Sequence, residues 1–293
     1  MVMVPANGIS TTEMQHWLEP FHYQFMQRAF VTALLVGVLC SAMGTYVVLR
    51  KLAFIGDGIA HASFAGIVIA YLRGADYYVG AGIVAILTAL GIGWVHRRGR
   101  VALDTAIGVL FTGAFALGIF LMSRQRSYSV DLQSFLFGDI LSVNHQDVLM
   151  IVALALFVGF VTALLWRSLL YTSFDPIVAQ AGGMNAQRTE YILLVLLALT
   201  IIVSLQAVGI VLVAALLVTP AAAAYQLTRR FSQMMGLSAL LGAISGAGGL
   251  YLSYFLRSSS GATIVLLATI LFFMASAARA TVRRRSFREI RSQ

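Results

Sequence analysis

The sequence predicts an all-α polytopic membrane protein with eight or nine transmembrane helices, its N-terminus outside and its C-terminus cytoplasmic. Composition is the first reason. Of 293 residues, 60% are hydrophobic and only 11% charged, with a mean hydropathy of +0.88, whereas soluble chains carry about 25% charged residues. The second is the recurrence of apolar stretches of roughly 20 residues, the length that crosses a bilayer. The third is the unequal division of basic residues between alternate loops. Those with Arg50, Lys51, the Arg97 to Arg100 group, Arg167, Arg188, Arg229, Arg230 and the tail hold 15 of the 20 Lys and Arg. This set is therefore cytoplasmic.

Taken in order, the spans are predicted at 25–49, 52–72, 77–95, 105–123, 148–166, 190–207, 209–227, 233–255 and 262–279. One of them being re-entrant would leave eight, but the alternation of basic loops favours nine. Residues 1–24 form an external or interfacial segment. Trp17, Phe21 and Tyr23 suit headgroup depth there. His16 and His22 are either metal scavengers or ordinary surface residues. No cleavable signal is expected, because the first 24 residues lack Lys, Arg and an early apolar run. Loop 124–147 is the long external connection, with a short lid helix expected over 134–142. Asp131, Asp139, His145 and Asp147 there form either an external metal vestibule or scattered solvated acids. The transmembrane domain spans 25–279, and 280–293 is a basic cytoplasmic tail. The excess of +9 charges sits at helix ends and in that tail, so it is no nucleic-acid signal. The single cysteine, Cys40, rules out an intrachain disulfide.

The second span carries Asp57 and His61, four residues apart. That spacing stacks them on one helix face. Ionisable groups at bilayer depth are expensive and face a bundle interior or a watery path. An oxygen and a nitrogen ligand side by side suit a divalent ion such as Zn²⁺ or Mn²⁺. The surrounding Gly56, Gly58, Ala60, Ala62, Ser63, Ala65 and Gly66 are all small. They permit close helix contacts or leave a lumen.

Between spans five and six, residues 171–189 are too polar for the membrane and too long for a tight turn. Asp175 fits an N-cap, Pro176 the first helical turn, and Gly182 with Gly183 the end. Gly182 is expected at positive φ. The product is a short surface helix at about 173–185, either an amphipathic connector or a docking helix for a soluble partner. Pro220 lies inside span seven and frees the carbonyl of Leu216, which predicts a kink. The alanines 221–224 after it make a smooth face that either packs or lines a pore. Gln206 is placed to cap the preceding turn. The run Gly242 to Gly249 is a small-residue packing surface. The one lysine, Lys51, is not in a Walker motif, and no HExxH or GxSxG occurs.

The stretches VVLRKLAFIGDGIAHASFAG, DTAIGVLFTGAFALGIFL, FLFGDIL, SFDPIVAQAGGM and LQAVGIVLVAALLVTPAAAAYQLTRRF resemble, in order, the metal-type ABC permeases. The similarity runs from about Leu18 to Ala278. It implies a bacterial plasma-membrane permease, homodimeric, with ABC ATPase subunits on the cytoplasmic side and an extracytoplasmic metal-binding protein outside. It implies no permanently bound cofactor, only a transported Mn²⁺, Zn²⁺ or Fe²⁺. Asp57 and His61 match the family's intramembrane metal pair. Phe174, Asp175 and Gly182 match its coupling helix; Pro220 is a gating or kink position by its place inside span seven. The sequence departs from the family at Gly58, where Ala, Ser or Thr is usual, at Asp139, where Asn is common, and at Gly183, where Leu is usual.

Two other functions fit parts of the chain. A membrane-embedded metal enzyme would use Asp57 and His61 but needs a third ligand, and no other span holds a central candidate except Cys40. A permease for a bulky metal chelate would not need an ionisable pair at mid-membrane. Two copies of an importer facing each other would supply two Asp and two His.

Overall fold

The computed structural model describes residues 19–99, 101–124 and 140–291, with side chains described up to 281 apart from those at 19, 20 and 206. Every regular element among these residues is helical. A short 3₁₀ turn, Glu19–His22, leads into α1, Gln24–Leu49. Then follow α2 (Ile55–Arg73), α3 (Tyr77–Gly99), α4 (Leu103–Ser123), a 3₁₀ turn at Ile140–Ser142 and α5 (His145–Leu164). Two short helices come next, α6 (Trp166–Phe174) and α7 (Pro176–Ala181). The C-terminal part is α8 (Ala186–Val208), α9 (Ile210–Leu227), α10 (Phe231–Ala243), a π-helical turn at Ile244–Gly248, α11 (Gly249–Leu256) and α12 (Ser260–Arg291). Among the described residues nine spans are long and apolar enough to cross a membrane, α10 to α11 counting as one. The expectation of nine rather than eight holds.

Local chemistry sets the boundaries. Gly74 ends α2 at φ +64°, a conformation open to glycine at little cost. Two residues on, the Asp76 carboxylate accepts the N–H groups of Tyr78 and Val79 at the start of α3. Gly209 alone, at φ +79°, separates α8 from α9. Asn144 and Asp147 form a capping box on α5, so Asp147 and His145 start a helix. Of the expected lid helix only 140–142 is described, as a 3₁₀ turn. Asp131, Asp139, His16, Trp17 and the side chain of Gln206 lie outside the described residues.

The core is built by α1, which is buried along most of its length and packs on α9 and α10. Glycines allow backbone to meet backbone. A Cβ at Gly44 would collide with the Leu217 carbonyl, and one at Gly37 with the Gly242 carbonyl. Helix α9 continues through Pro220. The carbonyl of Leu216, freed by that proline, accepts a hydrogen bond from Ser41 Oγ at 3.0 Å. The Ser41 carbonyl in turn accepts from Ser238 Oγ at 2.7 Å. With no water in the bilayer core, such groups must find partners inside the protein. The alanine face resolves to packing: Ala221, Ala223 and Ala224 are buried. The Gly242 to Gly249 run also packs, with Gly246 against Ala33 and Gly249 against Ile264.

Helices α2, α3 and α4 form a second group. A Cβ on Gly66 would stand 2.1 Å from the Gly80 carbonyl oxygen, and one on Gly80 would stand 2.4 Å from that of Gly66. On the other side Gly118 of α4 meets Phe64 and Ala65.

Candidate functional site

Asp57 and His61 sit in the first two turns of α2 and share its face. Between Ile55 and Gly66 they are the two residues that are not buried. Their side chains are 46% and 23% exposed in the single chain. His61 Nδ1 lies 2.8 Å from the Asp57 carbonyl oxygen and 3.2 Å from Asp57 Oδ1. A carbonyl oxygen can only accept, so Nδ1 carries a hydrogen and, in the neutral ring, Nε2 keeps its lone pair. The ring is flanked on α4 by Phe111 and Phe115, with centroids 6.0 and 5.5 Å away. The backbone fixes the tautomer, the aromatic pair limits the tilt, and a carboxylate stands beside the imidazole. This is a preset nitrogen and oxygen donor pair.

The small residues around the pair resolve to close contacts rather than a lumen within one chain. Gly56 meets Leu217, and Gly58 meets Ile107 and Phe111. Cys40 does not join the pair; it is buried and its Sγ lies 3.3 Å from Ser204 Oγ. Among the described residues no group of three His, Cys, Asp or Glu side chains could hold a metal.

The second site is the hairpin of α6 and α7. Asp175 adopts extended backbone and its carboxylate accepts the N–H groups of Ile177 and Val178 at 2.9 and 3.1 Å, with Pro176 opening the helix. One expectation fails here. Gly182 has φ −78°, in reach of any residue, while Gly183 takes the left-handed conformation at φ +81°. The Met184 N–H then reaches back to the Ala179 carbonyl, closing the helix end. Tyr171, Phe174, Ile177 and Val178 are all exposed, Ile177 to 78%. A cleft of about 570 Å³ beside them is lined by Arg167, Tyr171, Val178, Ala179, Gly182 and Met184. Exposed apolar side chains thus gather on this short hairpin and its capped helix. The Phe174 ring also reaches Phe231 at the start of α10, centroids 6.4 Å apart.

A third cluster escaped the sequence reading, which counted Arg50 only as a basic loop residue. Arg50 caps α1, and its guanidinium donates to Ser173 Oγ and Thr172 Oγ1, each at 3.0 Å. Burial pulls the Arg50 guanidinium below its ordinary pKa, and the Glu190 carboxylate opposes that shift. Glu190 itself pairs with Arg97 through Oε2. The only advance signal was Glu190, an acid at the edge of an apolar span.

Comparison with known proteins gives the family. The family model of the ABC 3 transport family matches residues 22–279. The manganese transport system membrane protein MntC of Halalkalibacterium halodurans is 46% identical over 253 residues, 86% of this chain and 87% of the relative. A probable iron transport system membrane protein of Haemophilus influenzae is 36% identical over 265 residues, 90% of this chain and 97% of the relative. The solved structure of PsaBC from Streptococcus pneumoniae in complex with Fab matches with a TM-score of 0.78 at 33% identity, covering 89% of this chain and 95% of that one. The enzyme reading is thereby set aside. A match over nearly the whole transmembrane domain, with the same helical architecture, makes this chain a multi-pass bacterial plasma-membrane permease subunit of the ABC 3 transport family.

Proposed function

We propose that the chain is the permease of an ABC importer for a divalent transition metal, with Mn²⁺ as the leading cargo and Zn²⁺ and Fe²⁺ as the alternatives. The observation that carries this is the Asp57 and His61 pair, held on one face and alone unburied on its helix segment. Relatives named for manganese and iron transport support the metal class. Asp57 offers a carboxylate and His61 an Nε2 lone pair, donors that Mn²⁺, Zn²⁺ and Fe²⁺ all accept. Two donors are too few for any of these ions. A second copy of the chain related by a two-fold axis would bring the count to two Asp and two His. Cargo is bound and released, and no resident cofactor is part of the proposal.

In this reading α7 is the coupling helix. Its exposed Phe174, Ile177 and Val178 dock on a cytoplasmic ATPase subunit, and Asp175 keeps the helix formed. Pro220 shapes the helix that packs behind α2. The N-terminus lies outside, where an extracytoplasmic metal-binding protein delivers the ion. Uptake of Mn²⁺, Zn²⁺ and Fe²⁺ in cells lacking the chromosomal permease, complemented with wild type or with Asp57→Ala and His61→Ala, tests it. Wild type is expected to restore manganese uptake and both variants to fall to background while still inserting. Uptake preserved in both variants would remove the cargo site from α2.

A further inference from the structure

The end of the bundle that bears α7 holds a charged cluster that the proposed transport reading does not use. Arg50 is bound to two hydroxyls, and both are already donors elsewhere. Thr172 Oγ1 donates to the Ser168 carbonyl and Ser173 Oγ to the Leu169 carbonyl, each at 2.6 Å. Their lone pairs face Arg50, so a full positive charge rests on two neutral acceptors. A carboxylate is close by. Glu190 Oε2 takes Arg97, but Glu190 Oε1 is buried and has no hydrogen-bond partner. Arg50, Thr172, Ser173 and Glu190 line the same cavity of about 200 Å³.

A buried carboxylate oxygen without a partner is costly. A carboxylate adds the attraction of opposite charges to the hydrogen bond that a guanidinium already makes with a neutral hydroxyl. One charged contact at Glu190 thus competes with two weaker ones at Thr172 and Ser173. The cavity leaves the guanidinium room to move between them. The two ends of this choice differ mechanically. Thr172 and Ser173 sit in the last turn of α6, directly before the Asp175 cap of α7. Glu190 sits in the first turns of α8 and is fixed to α3 through Arg97. Arg50 ends α1, and four residues beginning with Lys51 at φ +57° separate it from the start of α2. A non-glycine residue at positive φ marks a strained joint.

We propose that Arg50 and Glu190 are positioning residues for transport: Arg50, seated here on Thr172 and Ser173, transfers to Glu190 Oε1 in a second state of the cycle, tying the α6–α7 hairpin to the joint before the Asp57 helix. This rests on the reading of α7 as the coupling helix. It differs from a plain strut, in which Arg50 serves only Thr172 and Ser173 and Glu190 serves only Arg97.

The test uses the complete complex of permease, ATPase subunit and metal-binding protein in vesicles. Metal moved per ATP hydrolysed and basal ATP hydrolysis without metal are both measured. Removing the first seat (Thr172→Val with Ser173→Ala) and removing the second (Glu190→Gln) should shift basal hydrolysis in opposite directions. Arg50→Gln and Glu190→Gln should each lower the transport ratio about tenfold, and the double variant no further. Arg97→Gln should leave the ratio within about twofold of wild type. If Glu190→Gln fails to insert, Glu190→Asp, one methylene shorter, carries the same expectation. A wild-type ratio in the Glu190 variant, or a double variant with the product of the single losses, overturns the transfer. Co-purification of the ATPase subunit separates the two levels: loss of the subunit on Phe174→Ala with Ile177→Ala supports the coupling reading. Its full retention with unchanged ATP hydrolysis sinks that reading and the transfer together.

Discussion

Gly58 stands between the proposed metal pair and α4, and its lack of a side chain has a visible cause. A Cβ there would lie 2.7 Å from Ile107 Cγ2, and Ile107 is buried. Gly58→Ala is therefore expected to cost about 1–3 kcal/mol through overpacking, read as a lower melting temperature of the purified permease. Trimming Ile107 to Ala in the same chain should recover part of the cost of the first change, a non-additivity that a double-mutant cycle detects. The two glycines after α7 make a second residue-scale case. Gly183→Val places a branched side chain at φ +81° and should cost about 1–2 kcal/mol, whereas Gly182→Val at φ −78° should cost less. Comparing metal-stimulated ATP hydrolysis in the two variants checks the order. Sequence alone could not rank them, because adjacent glycines both satisfy a helix stop and only the backbone dihedral decides. That Asp57 and His61 share one helix face was legible from their spacing of four. Leu216 was legible as a freed carbonyl. Its partner was not, since Ser41 lies 175 residues away and nothing local marks it.

At the scale of elements, nearly every span was readable from apolar length. What could not be read was how α2, the helix that carries Asp57 and His61, is buried. Its small residues allowed either a lumen or tight packing, and the choice depends on the partners α3, α4 and α9 supply. The Gly66–Gly80 approach makes that packing testable. Gly66→Val would place a side chain where the Gly80 carbonyl stands, so the α2–α3 hairpin should separate and the permease should lose most of its expression in the membrane. Gly74→Ala is a milder control: open space surrounds the site, but φ is +64°. The short α7 depends on one cap. Asp175→Ala removes the acceptor for two backbone N–H groups and should cost the helix about 0.5–2 kcal/mol. Metal-stimulated hydrolysis should fall, while metal binding by the external protein stays unchanged.

For the whole molecule, the distribution of exposure carries the argument. In the single chain the face of α2 around Asp57 and His61 is open, and α4 shows exposed Val109, Leu117 and Phe120. Lipid alone is a poor neighbour for a carboxylate. The proposed second copy across that face would give the pair polar company. His61→Cys in a Cys40→Ser background is expected to join two protomers through a short thiol-reactive spacer, giving a dimer band on denaturing gels. Its absence, with monomers recovered from intact membranes, would count against a metal site on the axis. The division of basic residues gives a matching expectation for topology. A tag at the N-terminus should be accessible from outside intact cells, and one at the C-terminus only after permeabilisation.

The serine chain between α1, α9 and α10 also limits how the molecule can move. If α9 slid along α1, the Leu216 carbonyl would leave Ser41 and face hydrocarbon with no donor. If α10 parted from α1, the Ser41 carbonyl would lose Ser238. The glycine contacts at Gly37 and Gly44 leave no clearance for a sideways shift either. These three helices therefore travel as one rigid block. Helices α2, α3 and α4, locked by Gly66, Gly80 and Gly118, form another. In the proposed importer, opening a path to alternate sides of the membrane would be a rotation of one block against the other. Its pivot would be the five-residue joint from Arg50 to Phe54, with the proposed metal pair just beyond it.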